Sequence, residues 1–143
     1  MHLLDSQSLQ SGKKIQKPQV YERYFSLPVD KYITVHTTSK NAKTYDYFAD
    51  VISILAPILQ KEGIHFLQIG AKEDRPLKNV INICGGSSYG QTAFVIKNSL
   101  LHLGVDSFPN HLAGYFDVPV VGLYSNNYLD CVRPFFGDSA KQI

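Results

Sequence analysis

Five short apolar runs set the strongest constraint on how this chain can fold. They are Tyr32-Ile-Thr-Val-His36, Ile64-His-Phe-Leu-Gln-Ile69, Val80-Ile-Asn-Ile83, Leu100–Val105 and Val120–Leu123. Each is too short for a buried helix and is rich in β-branched or large apolar side chains, so each reads as a strand. Three of the four gaps carry a helical pattern. Thr44 offers a cap before Phe48, Val51, Ile52, Leu55 and Leu59, which recur at helical spacing. Pro57 should kink or divide that helix, and Gly63 should end it. A second helix follows Gly85-Gly86-Ser-Ser near Tyr89–Asn98, and a third, short one lies around Pro109–Tyr115. The remaining gap is the polar loop Lys72-Glu-Asp-Arg-Pro76, and the segment after Leu123 reads as irregular.

Compact apolar strands separated by helices call for a parallel sheet covered on both faces. Right-handed crossovers then lead to a Rossmann-like, doubly wound α/β sheet of about five strands, in the order 3-2-1-4-5. That order places the first and fourth strands side by side. Ligands of open α/β sheets bind beyond the strand ends at such a switch point. Residues 1–19 are polar, show no periodicity and contain Gly12 and Pro18, so they read as a flexible leader or linker. The domain proper is expected over 20–143.

Composition narrows the function classes. Hydrophobic residues make up 44% of the 143 and charged residues 18%, which is globular and excludes a disordered chain. No apolar run approaches the ~20 residues of a membrane span, and the N-terminus has no signal-peptide stretch. Cys84 and Cys131 stand alone, which excludes a disulfide scaffold or a cysteine zinc module and suits a reducing cytoplasm. The net charge of +2 comes from residues 1–43, with seven Lys/Arg against three acids, and is too weak to argue for nucleic acid. Lys13, Lys14 and Lys17 read as a solvated tail. Tyr21, Tyr24 and Phe25 read as packing residues, or as part of an apolar seam toward another domain.

Two turns at the switch point carry the chemistry. Thr37-Thr38-Ser39-Lys40-Asn41-Ala42-Lys43 gathers hydroxyls and ammonium groups before a helix, where free backbone N–H groups and the helix dipole favour a phosphate. The same composition also suits a solvated, capped loop. Asp106-Ser107-Phe-Pro-Asn-His111 opens the short helix; Ser107 could cap it and Pro109 suits its first turn. Gly86-Ser-Ser88-Tyr-Gly90 matches a Gly-x-Ser-x-Gly elbow and precedes Asp106 and His111 in hydrolase order. Those two residues share one junction rather than separate loops, and no His-Gly-Gly-Gly segment supplies an oxyanion hole, so a turn and helix cap is preferred. The turn after the first strand lacks glycine, against a nicotinamide fingerprint. His2, His36, His65, His102 and His111 show no metal-ligand spacing; His65 and His102 fall in strands and read as packing residues.

Taken together, three segments resemble glycosyltransferase family 9, the heptosyltransferase-like enzymes. His36-Thr-Thr-Ser-Lys-Asn-Ala-Lys43-Thr-Tyr45 resembles the loop opening that family's second domain. Gly104-Val-Asp-Ser-Phe-Pro-Asn-His-Leu-Ala113 with Val118–Tyr124 is similar to its Asp-Ser/Thr-Gly-x-x-His-Leu-Ala signature and following strand. Asn82-Ile-Cys-Gly-Gly-Ser-Ser88 sits where the family has its Gly-x-Ser/Thr turn. The similarity runs from about Tyr32 to Pro134, and Phe108 replaces the usual glycine.

The resemblance implies one half of a GT-B fold, the half that binds a nucleotide-diphosphate sugar. Thr38, Ser39 and Lys43 would hold the diphosphate and Glu73 the ribose. Asp106, Ser107 and His111 would face the diphosphate and the transferred sugar. The implied reaction is inverting transfer to a glycan or lipid-linked acceptor without a metal or other cofactor; the sequence contains no Asp-x-Asp. The general base would come from the family's other domain, making the chain a truncated piece of a two-domain enzyme. Membrane association would be peripheral, and a partner domain or second copy would complete the assembly. The competing reading is a naturally short, non-catalytic interaction module built on the same sheet.

Overall fold

A computed structural model describes residues 1–40, 43–125 and 127–143. Asn41 and Ala42 of the lysine-rich turn lie outside the described residues. The sheet contains β1 (Tyr32–His36), β2 (His65–Gln68), β3 (Ile81–Asn82), β4 (Leu101–Val105) and β5 (Val120–Leu123). Its order is β3-β2-β1-β4-β5 with every pairing parallel, as the apolar runs predict. The helices are α1 (Leu3–Ser11), α2 (Phe48–Lys61), α3 (Tyr89–Lys97), α4 (Phe108–Tyr115) and α5 (Leu129–Val132).

Strand alternation divides the core into two layers. Val35 and Val105 meet Phe48, Ile52 and Ala56 of α2 on one face. Leu67 and Val120 meet Ala93, Val95 and Ile96 of α3 and Leu112 and Ala113 of α4 on the other. Tyr32 belongs to this second layer and donates its hydroxyl to Val95 O at 2.8 Å, which settles the polar end of an otherwise apolar ring. Phe25 packs at the edge of that layer, whereas Tyr21 and Tyr24 are exposed.

Helix termini account for most differences from the sequence reading. Thr44 does not cap α2, which begins at Phe48 after an uncapped Tyr47. Residues 43–47 are held outside the helix because Lys43 is drawn to Asp106 and the Tyr45 ring packs edge-on against Phe48 and Tyr47. The helix runs unbroken through Pro57, and Gly63, at φ +70°, follows its end. Ser88 caps α3 in a reciprocal box with Gln91.

The leader is not featureless: α1 occupies nine of its residues. It shows no apolar stripe because it buries none; instead His2 anchors it. His2 Nδ1 accepts the Leu4 N–H at 3.1 Å while Nε2 donates to Arg133 O at 2.8 Å, and its ring packs against Phe135. Beyond β5, Ile143 N–H donates to Val120 O and Gly122 N–H to Ile143 O, both at 2.8 Å, so the last residues line the β5 edge. No described helix is long and apolar enough to cross a membrane.

Candidate functional site

All five strands point the same way, so the turns that follow them open on one edge of the sheet. The adjacency of β1 and β4 brings the two chemically loaded turns together there. Lys43 Nζ donates to Asp106 Oδ2 at 2.7 Å, across the end of the sheet. The Asp106 side chain is 8% exposed and that of Lys43 31%, so the carboxylate is nearly enclosed while the ammonium still reaches water. Asn127 Nδ2 approaches the same oxygen at 3.5 Å from the turn after β5. A carboxylate stripped of solvent at this depth is tolerable only with such a partner.

Beside the pair lies a cleft of about 520 Å³. Lys43 and Tyr45 form one side; Tyr124, Ser125, Asn127 and Leu129 form the other. The lining combines the Lys43 ammonium, already bonded to Asp106, with short polar groups and aromatic or aliphatic walls, a composition suited to an anion attached to a ring-shaped organic group.

The other predicted residues are distributed unevenly. Ser107 is the N-cap of α4, yet its side chain makes no capping bond. Pro109 removes one N–H from the first turn, and Asn110 N–H turns back to Ser107 O at 3.1 Å; the Ser107 and Phe108 amides have no acceptor among the described residues. His111 presents surface to solvent, but the protein packed around it lowers its pKa by desolvation. Asp106 opposes that shift, and the charges of His2 and Lys43 reinforce it. His111 is therefore a neutral ring at pH 7, within the electrostatic reach of the pair. Thr38 is exposed and Ser39 half-buried on the turn leaving β1; neither hydrogen-bonds to Lys43 or Asp106 among the described residues. Glu73 is exposed on the loop after β2 and joins none of these groups. The inward-turned acid of that loop is its neighbour Asp74, which accepts the Ala71 N–H at 2.9 Å and raises the pKa of His36 against the larger lowering by burial.

The hydrolase elbow dissolves on inspection. Ser88 Oγ is taken up by the Gln91 N–H as a helix cap, and Ser87 Oγ pairs with Thr92 Oγ1 at 2.9 Å. Neither hydroxyl meets an imidazole among the described residues. Tyr45 and Tyr124 end two of the segments that carry the family resemblance but have no site role there, and Asn127 escapes the sequence reading altogether. The alternation of β5 could have flagged Tyr124 as facing the α4 layer, but nothing local marks Asn127, which comes into range of Asp106 only through the fold.

Comparison with known proteins follows this geometry. The match to solved structures is to glycosyltransferases. One is a family 9 glycosyl transferase from Veillonella parvula, at 19% identity and a TM-score of 0.67, covering 80% of this chain and 35% of that one. A second is Escherichia coli ADP-heptose lipopolysaccharide heptosyltransferase II, at 19% identity and a TM-score of 0.65, covering 82% and 38%. A third is the dodecameric, iron-containing heptosyltransferase TibC in complex with ADP-D-β-D-heptose, at 14% identity and a TM-score of 0.65, covering 86% and 32%. At these identities the likeness is one of fold, and the chain spans only about a third of the length of each structure. No curated protein sequence matches it. The family model for glycosyltransferase family 9 (heptosyltransferase) matches residues 4–142, nearly the whole chain, and the protein belongs to that family.

Proposed function

We propose that this chain is the donor-binding half of a heptosyltransferase-like glycosyltransferase, and that the Lys43–Asp106 cleft takes the diphosphate of a nucleotide-diphosphate sugar. The observation that carries the reading is the 2.7 Å contact joining the two turns that most resemble the family's donor loops. A lysine tethered by a carboxylate at the mouth of a cleft is held ready to meet a phosphate, with the Ser107 and Phe108 amides at the α4 terminus beside it. As the sugar leaves, negative charge grows on the diphosphate, and a preorganised ammonium with backbone donors stabilises that charge without a metal. Thr38 and Ser39 would add hydroxyl donors from the neighbouring turn, and His111, neutral at pH 7, would face the sugar side. Glu73 is assigned to the ribose by resemblance alone.

In this reading the base that deprotonates the acceptor hydroxyl comes from another domain, so transfer to a glycan or lipid-linked acceptor needs more than residues 20–143. A second copy of the chain is the other candidate partner; the dodecameric relative supports it. The free thiols Cys84 and Cys131 support a cytoplasmic setting. Heat-shift measurements with ADP, UDP, GDP and dTDP, and with their sugars, test the assignment. At least one nucleotide should raise the melting temperature, and Lys43→Ala should abolish most of that rise. A folded protein that responds to none of them would instead favour the non-catalytic interaction module.

A further inference from the structure

Below the cleft, the sheet carries an unusual row. In register across β1, β4 and β5 stand His36, Gly104 and Gly122. The paired glycines form a floor. A Cβ on Gly104 would stand 2.7 Å from His102 Nε2 and 2.8 Å from Asn110 Oδ1. A Cβ on Gly122 would stand 2.5 Å from Tyr124 Cε2 and 2.7 Å from its hydroxyl oxygen. His102 therefore folds forward over one glycine, Tyr124 folds back over the other, and Asn110 descends from α4 beside them. Any side chain at 104 or 122 would lift this group off the sheet.

The group is tied to β1 as well. Thr34 Oγ1 lies 2.9 Å from His102 Nδ1. The Asn110 amide and His102 Nε2 both lie over Gly104, and the Tyr124 phenol lies over Gly122, its partner in the floor. Burial first, and then the Asp106 charge, raise the Tyr124 pKa against the opposing effects of Asn110 and Arg133, so the phenol stays protonated.

His102 and Asn110 are 0% and 1% exposed, yet His102 Nε2 and both Asn110 amide atoms close no hydrogen bond among the described residues. Apolar residues would fill this space at no such cost, and orphaned polar atoms beneath a cleft call for a functional account.

We propose that Tyr124 is a further ligand-contacting residue of the cleft, donating its phenol hydrogen to a diphosphate oxygen, and that Asn110 and His102 are positioning residues that aim it from the glycine floor. The assignment rests on the donor-binding reading above. Tyr124 lines the same cleft as Lys43, so one diphosphate can meet the ammonium and the phenol together.

The experiment is titration calorimetry of the whole chain with whichever of ADP, UDP, GDP or dTDP binds it, on Tyr124→Phe, Asn110→Ala, the double variant and Lys43→Ala. Thermal melts confirm that each is folded at the working temperature. Tyr124→Phe keeps the ring and removes only the hydroxyl, so it should weaken binding about tenfold, as expected for one hydrogen bond to a charged acceptor. Asn110→Ala should weaken it to a similar degree, and the double variant should be no worse than Tyr124→Phe, because the amide acts through the phenol. A merely structural Asn110 would instead give additive losses. If Lys43→Ala loses binding while Tyr124→Phe stays within twofold of the parent, the assignment of Tyr124 is overturned and the donor reading stands. If the parent binds no nucleotide, both fall together.

Discussion

Replacing Lys43 by Met removes the ammonium and keeps most of the apolar stem, which isolates the charge pair at the end of the sheet. Asp106 is then left with a side chain 8% exposed, so water cannot replace the lost partner. Breaking a fully buried pair costs about 3–5 kcal/mol, and an exposed pair contributes about 1 kcal/mol or less. Lys43 is 31% exposed and sits between these limits, so a loss of about 2 kcal/mol is expected. For a domain of this size that corresponds to a melting temperature roughly 6 °C lower. Asp106→Asn removes the charge that needs a partner while keeping the volume, and should cost less than Lys43→Met. The double variant should recover most of the loss, giving a coupling energy of about 2 kcal/mol in urea unfolding at pH 7. Because Asp106 is enclosed, raising the salt to about 0.5 M should change that coupling little. A Lys43→Met protein within about 0.5 kcal/mol of the parent, or a coupling near zero, would refute the claim that this pair ties the two turns together.

Other expectations follow from single features of the fold. Burial first, and then the charge of His36, lower the His102 pKa to about 3, against the pull of Asn110. An unfolded histidine titrates near 6.5. Between those values the unfolded chain binds a proton that the folded chain refuses, so stability should fall as pH drops from 6.5, by up to about 1.4 kcal/mol per pH unit from this ring. His36 and His111, also lowered, act in the same direction. Urea unfolding at pH 7.5, 6 and 5 checks this, and a flat profile would contradict it. Ser88→Ala should cost about 1 kcal/mol through loss of the α3 cap. The parent should resist a fluorophosphonate probe, and labelling at Ser88 would revive the hydrolase reading. At Gly114 a Cβ would stand 2.4 Å from Pro134 Cβ and 3.0 Å from Phe136 O. Gly114→Ala should therefore destabilise by about 1–3 kcal/mol and raise protease sensitivity around Pro134–Gly137.

The sheet was legible because strand runs such as Tyr32–His36 and Val120–Leu123 are bounded by clear turn chemistry, and because crossover handedness leaves few orders for a chain of this pattern. Helix starts were less legible. Thr44 has the chemistry of a cap, but the contacts that delay α2 to Phe48 come from Asp106, 62 residues further along, and from a local aromatic cluster. The helix α1 carries no amphipathic signal because its anchor is a single histidine reaching Arg133 across the chain.

The candidate site divides along the same line. Local sequence determined that Lys43 and Asp106 would stand at strand ends, and the order of the strands made them neighbours. Which partners they chose was decided only in three dimensions. Thr38 and Glu73 have suitable side chains but make no hydrogen bond to the pair among the described residues, while Asn127 reaches the carboxylate from a turn with no motif of its own. Gly104 and Gly122 carry no side chain to pack within their own strands. They become a shared floor only when β4 and β5 pair in register, because hydrogen-bond register is a property of two strands and cannot be written into either one alone.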